Sequence, residues 1–204
     1  MAEIKLTKTE LREQQIKLDR LQKYLPTLQL KKAMLQMEVN HAQLEIEEFS
    51  AQFGKTEQQV GKYCSLFTDK GASQLFSSVA ILEIEKSYEN IAGVDIPIFE
   101  KVVFEPAAYS LFDTPVWLDP AIDGVKQLLT VREKVKIAYD KKRALEKELR
   151  EVSIRVNLFE KILIPRALEN IKKIKIFLGD LQLAAVSQAK VAKKKILLRN
   201  QVAR

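Results

Sequence analysis

The chain has 204 residues, 47% of them hydrophobic, and a formal net charge of +7. This length suits one domain or two small ones, with enough apolar content for a core. The single cysteine, Cys64, excludes an internal disulfide. No stretch approaches the ~18 uninterrupted apolar residues of a membrane-spanning helix, and the start, MAEIKLTKTE, lacks the apolar core of a secretory signal. We therefore expect a soluble or peripheral protein that does not span a membrane by itself.

The positive charge is concentrated at the C-terminal end, where no acid follows Ala189. Two interpretations are open: a solvated helix end whose cations complement the helix dipole, or a contact with an acidic or carbonyl-lined surface. The cations are Lys190, Lys193, Lys194, Lys195, Arg199 and Arg204, which leave +1 for the rest of the chain.

The first fifty residues predict a long helix with a narrow apolar stripe. Thr7 and Glu10 have capping-box spacing, and apolar residues then recur at alternating steps of three and four. So narrow a stripe favours a supercoiled helix pair over a helix packed on a globular core. The positions of this first seam are Leu11, Gln14, Leu18, Leu21, Leu25, Leu28, Lys32, Leu35, Val39, Ala42, Ile46, Phe49 and Phe53.

The last third repeats the pattern and then breaks it. After Leu163 come two successive steps of four, to Ala167 and Ile171. An extra step of four residues locally unwinds a supercoil. Pro165, which has no backbone N–H to donate, lies inside this break in the pattern. The sequence predicts a bent or loosened helix there. The positions of this second seam up to the break are Leu128, Val131, Val135, Ala138, Lys142, Leu145, Leu149, Val152, Val156, Phe159 and Leu163.

The two helices are too long for a globule. Residues 11–53 as helix would span about 65 Å and residues 125–195 about 105 Å, whereas a compact chain of this size has a diameter of roughly 43 Å. We therefore predict a rod of two antiparallel helices, and assume a register in which Phe53 faces Ala138 and Pro26 faces Pro165. The predicted interface residues are Leu11, Leu18, Leu25, Leu28, Leu35, Val39, Leu145, Leu149, Val152, Val156, Phe159 and Leu163.

Between the helices the composition changes to glycine and proline. Val94, Ile96 and Ile98 alternate with polar residues or proline, which predicts an edge strand. Residues 80–85 supply a partner strand, with a turn near Gly93. The predicted fold class is thus mainly α, a long antiparallel two-helix coiled coil with a small middle head containing a short β-hairpin. Its segments are 1–54 (N-terminal helix), 55–124 (head with a helix to about Asp69, strands and a loop) and 125–204 (C-terminal helix and basic tail).

Motifs that could carry chemistry are weak. Gly54-Lys55-Thr56 resembles the end of a P-loop, but the glycine required five positions before Gly54 is Phe49. We interpret the motif as a helix interruption. One histidine and one cysteine cannot form a usual metal cluster. Trp117 is either a binding anchor or, more often in such positions, a plug for a small core. We predict no catalytic, cofactor-binding or metal-binding residue.

Several stretches resemble the D subunit of V-type and A-type rotary ATPases. The strongest is RVNLFEKILIP, residues 155–165, which carries the signature residues Arg155, Val156, Asn157, Glu160, Ile164 and Pro165. NIAGVDIP (90–97), AIDGVKQLL (121–129) and TKTEL (7–11) occur in the same order and spacing as in that family.

The resemblance implies a non-catalytic central rotor axle that couples ATP synthesis or hydrolysis in a catalytic head to ion translocation, such as hydrogen ion transport, through a membrane ring. Its implied partners are the catalytic and regulatory subunits of the head, a small F-type stalk subunit and a funnel subunit on the membrane ring. This places the chain in the cytoplasm, peripheral on the membrane. Lys190, Lys193, Lys194 and Lys195 are then candidate bearing contacts.

Two alternatives belong to other classes. One is a coiled-coil scaffold or tether that binds acidic partners or nucleic acid through the basic tail, with an affinity that falls steeply with salt. No aromatic residue lies between Lys190 and Arg204 to stack on bases, which disfavours nucleic acid. The other is the two-helix stalk of a type III secretion ATPase, which the intervening NIAGVDIP segment disfavours.

Overall fold

The computed structural model describes residues 5–68, 75–76, 78–106 and 115–202. Its contacts divide the chain into two compact units. The terminal unit consists of Met1–Leu30 and Val152–Arg204, and the central unit of Lys31–Glu151. The three-segment division predicted from sequence stays a prediction. The predicted fold class is confirmed: two long helical segments surround one antiparallel β-hairpin.

Helix α1 (Lys8–Gly61) begins where the sequence predicts. The Thr7 hydroxyl accepts a hydrogen bond from the Glu10 backbone N–H at 3.2 Å, which satisfies a donor that has no partner within the helix. The helix continues through Pro26 and Gly54. The prediction that Gly54 interrupts the helix is therefore wrong, because isolated glycine costs a helix only about 1 kcal/mol and neighbouring contacts override it.

The C-terminal helical segment contains one irregular turn. Helix α2 (Leu118–Leu158) is followed by a π-helical turn (Phe159–Leu163) and then by helix α3 (Ile164–Val202). The π-turn is marked by a hydrogen bond from the Ile164 N–H to the Phe159 carbonyl, five residues back. The predicted loop to Gly124 is too long, because α2 already begins at Leu118.

The buried positions explain the π-turn. Strict alternation of three and four after Leu163 would bury residues 166, 170 and 173, whereas the structure buries Ala167, Ile171 and Ile174, each one position later. The second seam therefore contains one surplus residue. A π-turn closes its ring one residue wider than an α-turn, so it absorbs that residue and keeps the apolar face in place.

Pro165 lies two positions after the π-turn. In a regular helix its N–H would donate to the carbonyl of Lys161, but proline has no N–H. The surplus residue is thus absorbed next to a place where one α-helical hydrogen bond is already lost. This accounts for a helix that passes through a proline and resumes its pattern.

Strands β1 (Ile81–Ile91) and β2 (Val94–Phe104) form the hairpin, and both are longer than predicted from sequence. They pair antiparallel, with Tyr88 opposite Pro97. A two-stranded sheet has only edge strands, so a proline is tolerated there. The register shifts at two places, where Leu82 in β1 and Glu100 in β2 are each an extra residue without an opposite partner.

The hairpin turn uses two residues at positive φ, Ala92 at 53° and Gly93 at 82°. Two such residues make a type I′ turn, whose twist matches that of the strands. The Asn90 side chain supports the turn: its Oδ1 accepts from the Gly93 N–H at 3.0 Å and its Nδ2 donates to Asp95 Oδ1 at 2.6 Å. This explains the NIAGVD part of the sequence in physical terms.

A small apolar cluster closes the other end of the head. Trp117 packs against it and lies near Phe67, with ring centroids 6.3 Å apart. The core interpretation of Trp117 therefore agrees with its position. Asp69, the predicted end of the head helix, lies outside the described part of the chain. The buried members of the cluster are Leu75, Val79, Leu118, Ala121 and Ile122.

In the central unit, α1 and α2 are joined by hydrogen bonds that run in antiparallel order. Lys31 donates to Glu148 at 2.7 Å and Lys141 donates to Glu45 at 2.9 Å. Ala138 lines the same crevice as Glu45 and Phe49. The assumed register with Phe53 opposite Ala138 is therefore wrong by more than one helical turn, and the basis for aligning Pro26 with Pro165 is removed.

Candidate interaction surfaces

The end of α3 presents an apolar and basic surface that no described residue of the terminal unit covers. Every residue from Leu181 to Arg199 is exposed. We call this range the C-terminal segment. No acid follows Asp180, so the segment combines cations with apolar side chains and lacks negative charge. Its large apolar side chains, each between 51% and 68% exposed, are Leu181, Leu183, Val186, Val191, Ile196, Leu197 and Leu198.

Such a surface indicates a binding role. Single exposed apolar residues are common, but a run of this length on one helix is typical of an interaction site. The four predicted bearing lysines all lie in the segment and are exposed: Lys190, Lys193, Lys194 and Lys195. Lysines near a helix C-terminus also complement the helix dipole, so their charge alone does not identify a partner.

The twelve predicted interface residues all lie on the covered sides of their helices. In the central unit Leu35, Val39 and Leu145 are buried and Leu149 is half-buried. The terminal-unit members are Leu11, Leu18, Leu25, Leu28, Phe159 and Leu163, half-buried, and Val152 and Val156, buried.

Polar contacts flank the seam in the central unit. The Lys141 ammonium binds both oxygens of Glu45, at 2.9 and 3.1 Å, and is only 12% exposed. Lys142, a seam position that is not apolar, donates to the side-chain carbonyl of Gln43 at 2.8 Å. Partly shielded pairs of this kind specify alignment more than they add stability.

The family-signature residues lie within the π-turn and on both sides of it, and some of them are buried while others are exposed. Val156 is buried and Ile164 is half-buried. They hold the helix in the seam. The exposed members are Arg155, Asn157, Glu160 and Pro165.

The Gly54-Lys55-Thr56 motif lies inside α1. The Thr56 hydroxyl donates to the Gln52 carbonyl at 3.0 Å, one helical turn back. A P-loop wraps its backbone N–H groups around phosphate, but a continuous helix commits those groups to its own carbonyls. The motif is therefore a helical segment in this structure.

The described residues offer neither a metal site nor a membrane span. Among them, no cluster of three or more histidine, cysteine, aspartate or glutamate side chains is placed to hold a metal ion. Within the same ranges, no helix is long and apolar enough to cross a membrane.

Sequence reasoning missed one buried charge. Glu133 in α2 is only 3% exposed, and its Oε2 has no hydrogen-bond partner among the described residues. The nearest cations, on Arg132 and Lys136, are both 3.6 Å away. Glu133 lies two positions from each of the seam residues Val131 and Val135, a position that is typical of the exposed face of a helix. The sequence therefore gives no signal of its burial.

Comparison with known proteins matches the chain to one family. The model of the family described as the D subunit of ATP synthase matches residues 10–194. The D subunit of a V-type ATP synthase from Chlamydia abortus is 41% identical over 201 residues, 98% of this chain and 97% of that protein. The proteins of the same name in Chlamydia pneumoniae and in Chlamydia trachomatis serovar L2 are 43% identical (97% of this chain, 95% of theirs) and 45% identical (96% and 97%).

Proposed function

We infer the function from the family: the chain belongs to the family of ATP synthase D subunits, and we propose that it is the central-stalk rotor axle of a V-type or A-type ATPase. As a member of this family the chain is a subunit of a rotary ATPase complex. The observation that supports the axle role best is the C-terminal segment. It is a helical end with exposed apolar and cationic residues and no acid, as expected of a shaft end seated in a bearing.

In this proposal the catalytic head surrounds the C-terminal segment. The exposed leucines and valines slide on apolar side chains of the head, while Lys190, Lys193, Lys194 and Lys195 face carbonyl or carboxylate oxygens. ATP binds to other subunits and this chain supplies no catalytic residue. The small F-type stalk subunit and the funnel subunit bind elsewhere on the chain, which holds it to the membrane ring.

The proposed mechanism is mechanical coupling. The head has several catalytic interfaces, and an axle with an asymmetric outline contacts each of them differently at a given angle. A contact that differs between two states of an interface shifts the equilibrium between them by the difference in binding free energy. Rotation of the axle therefore imposes a sequence of states on the interfaces, and ion flow through the ring is linked to ATP synthesis or hydrolysis.

Truncation after Gln188 tests the proposal. Because the described side chains of residues 189–199 are exposed, we expect the residues that remain to keep their helical structure, and the unfolding free energy of the isolated chain to change by no more than about 0.5 kcal/mol. In the assembled enzyme we expect fewer ions transported per ATP hydrolysed. The matched control replaces the four lysines with arginine, which keeps the charge and should keep the coupling ratio.

Two results would contradict the proposal. Full coupling in the truncated enzyme would show that the segment is not a bearing. A truncation that leaves ATPase assembly and coupling intact but abolishes salt-sensitive binding to nucleic acid would support the scaffold alternative instead.

A further inference from the structure

Three large aliphatic residues follow one another at the end of the π-turn: Ile162, Leu163 and Ile164. Leu163 and Ile164 are both half-buried, while Ile162 is 54% exposed. On a helix, consecutive side chains point about 100° apart, so only one of two neighbours can lie at the centre of a narrow covered stripe. At this place two similar side chains are available for one covered position.

The place of the surplus residue decides which of the two belongs to the seam. Before the surplus residue the seam runs through Phe159 and Leu163, and after it through Ala167 and Ile171. Alternation of three and four, continued backwards from Ala167, leads to Ile164. If the surplus residue is absorbed before Ile164, then Ile164 is the seam residue, and if it is absorbed after Ile164, Leu163 is.

The backbone hydrogen bonds do not decide between the two places. In the structure the Ile164 N–H donates to the Phe159 carbonyl, five residues back. If the surplus residue lay beyond Pro165, Ile164 would donate four residues back, and Arg166 would close the wide turn five residues back. Pro165 lies between these two donors and has no N–H, so no hydrogen bond has to be exchanged there. Both arrangements use the same backbone donors.

We propose that the π-turn is a two-position element, in which the surplus residue moves from one side of Pro165 to the other. Residues 160–164 turn by about 100° around the helix axis when it moves, and Leu163 and Ile164 exchange places on the covered side. The covered apolar area stays similar because the two side chains have the same number of carbon atoms. The helix on either side keeps its buried residues, such as Val156 and Ala167.

This inference concerns the folded chain and does not rest on the proposed function. In the proposed axle, the element supplies a short segment that turns without opening the seam. Glu160, Lys161 and Ile162 are exposed and turn with it. The surface that the axle presents at this level therefore differs between the two positions.

Methyl relaxation dispersion on the isolated full chain tests for the exchange, because helix register shifts occur on the microsecond to millisecond timescale. The δ1 methyl groups of Ile162 and Ile164 should show two-site exchange. The δ1 methyl of Ile174, which is fully buried beyond the turn, should not. Deletion of Pro165 removes the surplus residue and should abolish the exchange at Ile162.

Two alanine variants shift the populations in opposite directions. Leu163→Ala should favour the position in which Ile164 is covered, and Ile164→Ala the position in which Leu163 is covered. Ile162 is unchanged in both, so its δ1 methyl signal should move to opposite sides of its wild-type position, with the three signals on one line. The control Ile176→Ala, at a residue 56% exposed in α3, should leave that signal in place.

The direction of these displacements decides the outcome. Opposite displacements along one line support the inference even without measurable dispersion, because exchange is then faster than the measurement detects. Displacement of the Ile162 signal in the same direction by both variants, or by neither, overturns it. Exchange at Ile162 that persists after deletion of Pro165 also overturns it, because the motion then does not depend on a surplus residue.

Discussion

Deletion of Pro165 is the sharpest test of the surplus-residue explanation for the π-turn. The deletion removes the extra residue, so the buried positions after Leu163 return to alternating steps of three and four. It also removes the residue that cannot donate a backbone hydrogen bond. The helix can then close with regular α-helical bonds while Ala167, Ile171 and Ile174 stay on the buried face.

The magnitude follows from the cost of a proline inside a helix. This cost is about 3 kcal/mol relative to alanine and already includes the missing backbone hydrogen bond. Since the π-turn already relieves part of the proline cost, we expect the deletion to raise the free energy of unfolding by about 1–3 kcal/mol. For a chain of this length that corresponds to an increase in Tm of roughly 3–9 °C.

An insertion at the same place is the matched control. One alanine added after Arg166 gives the seam a second surplus residue, and the following residues rotate by about 100°. Ile171 and Ile174 then leave the buried face at a cost of about 1.5–3 kcal/mol each. Urea unfolding of the isolated chain, followed by circular dichroism, measures both variants. If the deletion destabilises as much as the insertion does, the seam has no surplus residue and the explanation is wrong.

Two further predictions concern the hairpin turn and one ion pair. Replacing Ala92 with glycine removes the strain of a Cβ at φ 53° and should stabilise the chain by about 0.5–1 kcal/mol. Ala33→Gly, at an exposed position inside α1, should destabilise it by a similar amount. Urea unfolding compares the two variants, and an equal loss for both would refute the strain argument. A double-mutant cycle on Lys141 and Glu45 should give a coupling of about 1–2 kcal/mol because both side chains are shielded. The exposed i,i+4 pair of Asp19 with Lys23 should give less than about 0.5 kcal/mol, and equal couplings would show that shielding does not matter.

The sequence by itself determined the helical seams, the presence of a hairpin and the family. Heptad spacing alone identified the covered positions, because a side chain's face on a helix depends only on its position in the repeat. The break after Leu163 was also visible as two successive steps of four. The hairpin turn was predictable near Gly93 because few residues accept a positive φ.

Only the tertiary structure decided how distant segments meet. One seam could be shifted along the other by a whole repeat and still bring apolar residues together. The register in the central unit is therefore identified by polar pairs such as Lys141 with Glu45. The burial of Glu133 depends on which element covers which. The sequence also could not predict the π-turn. A surplus residue can be absorbed either by unwinding the supercoil or by widening one helical turn, and the sequence pattern is the same for both.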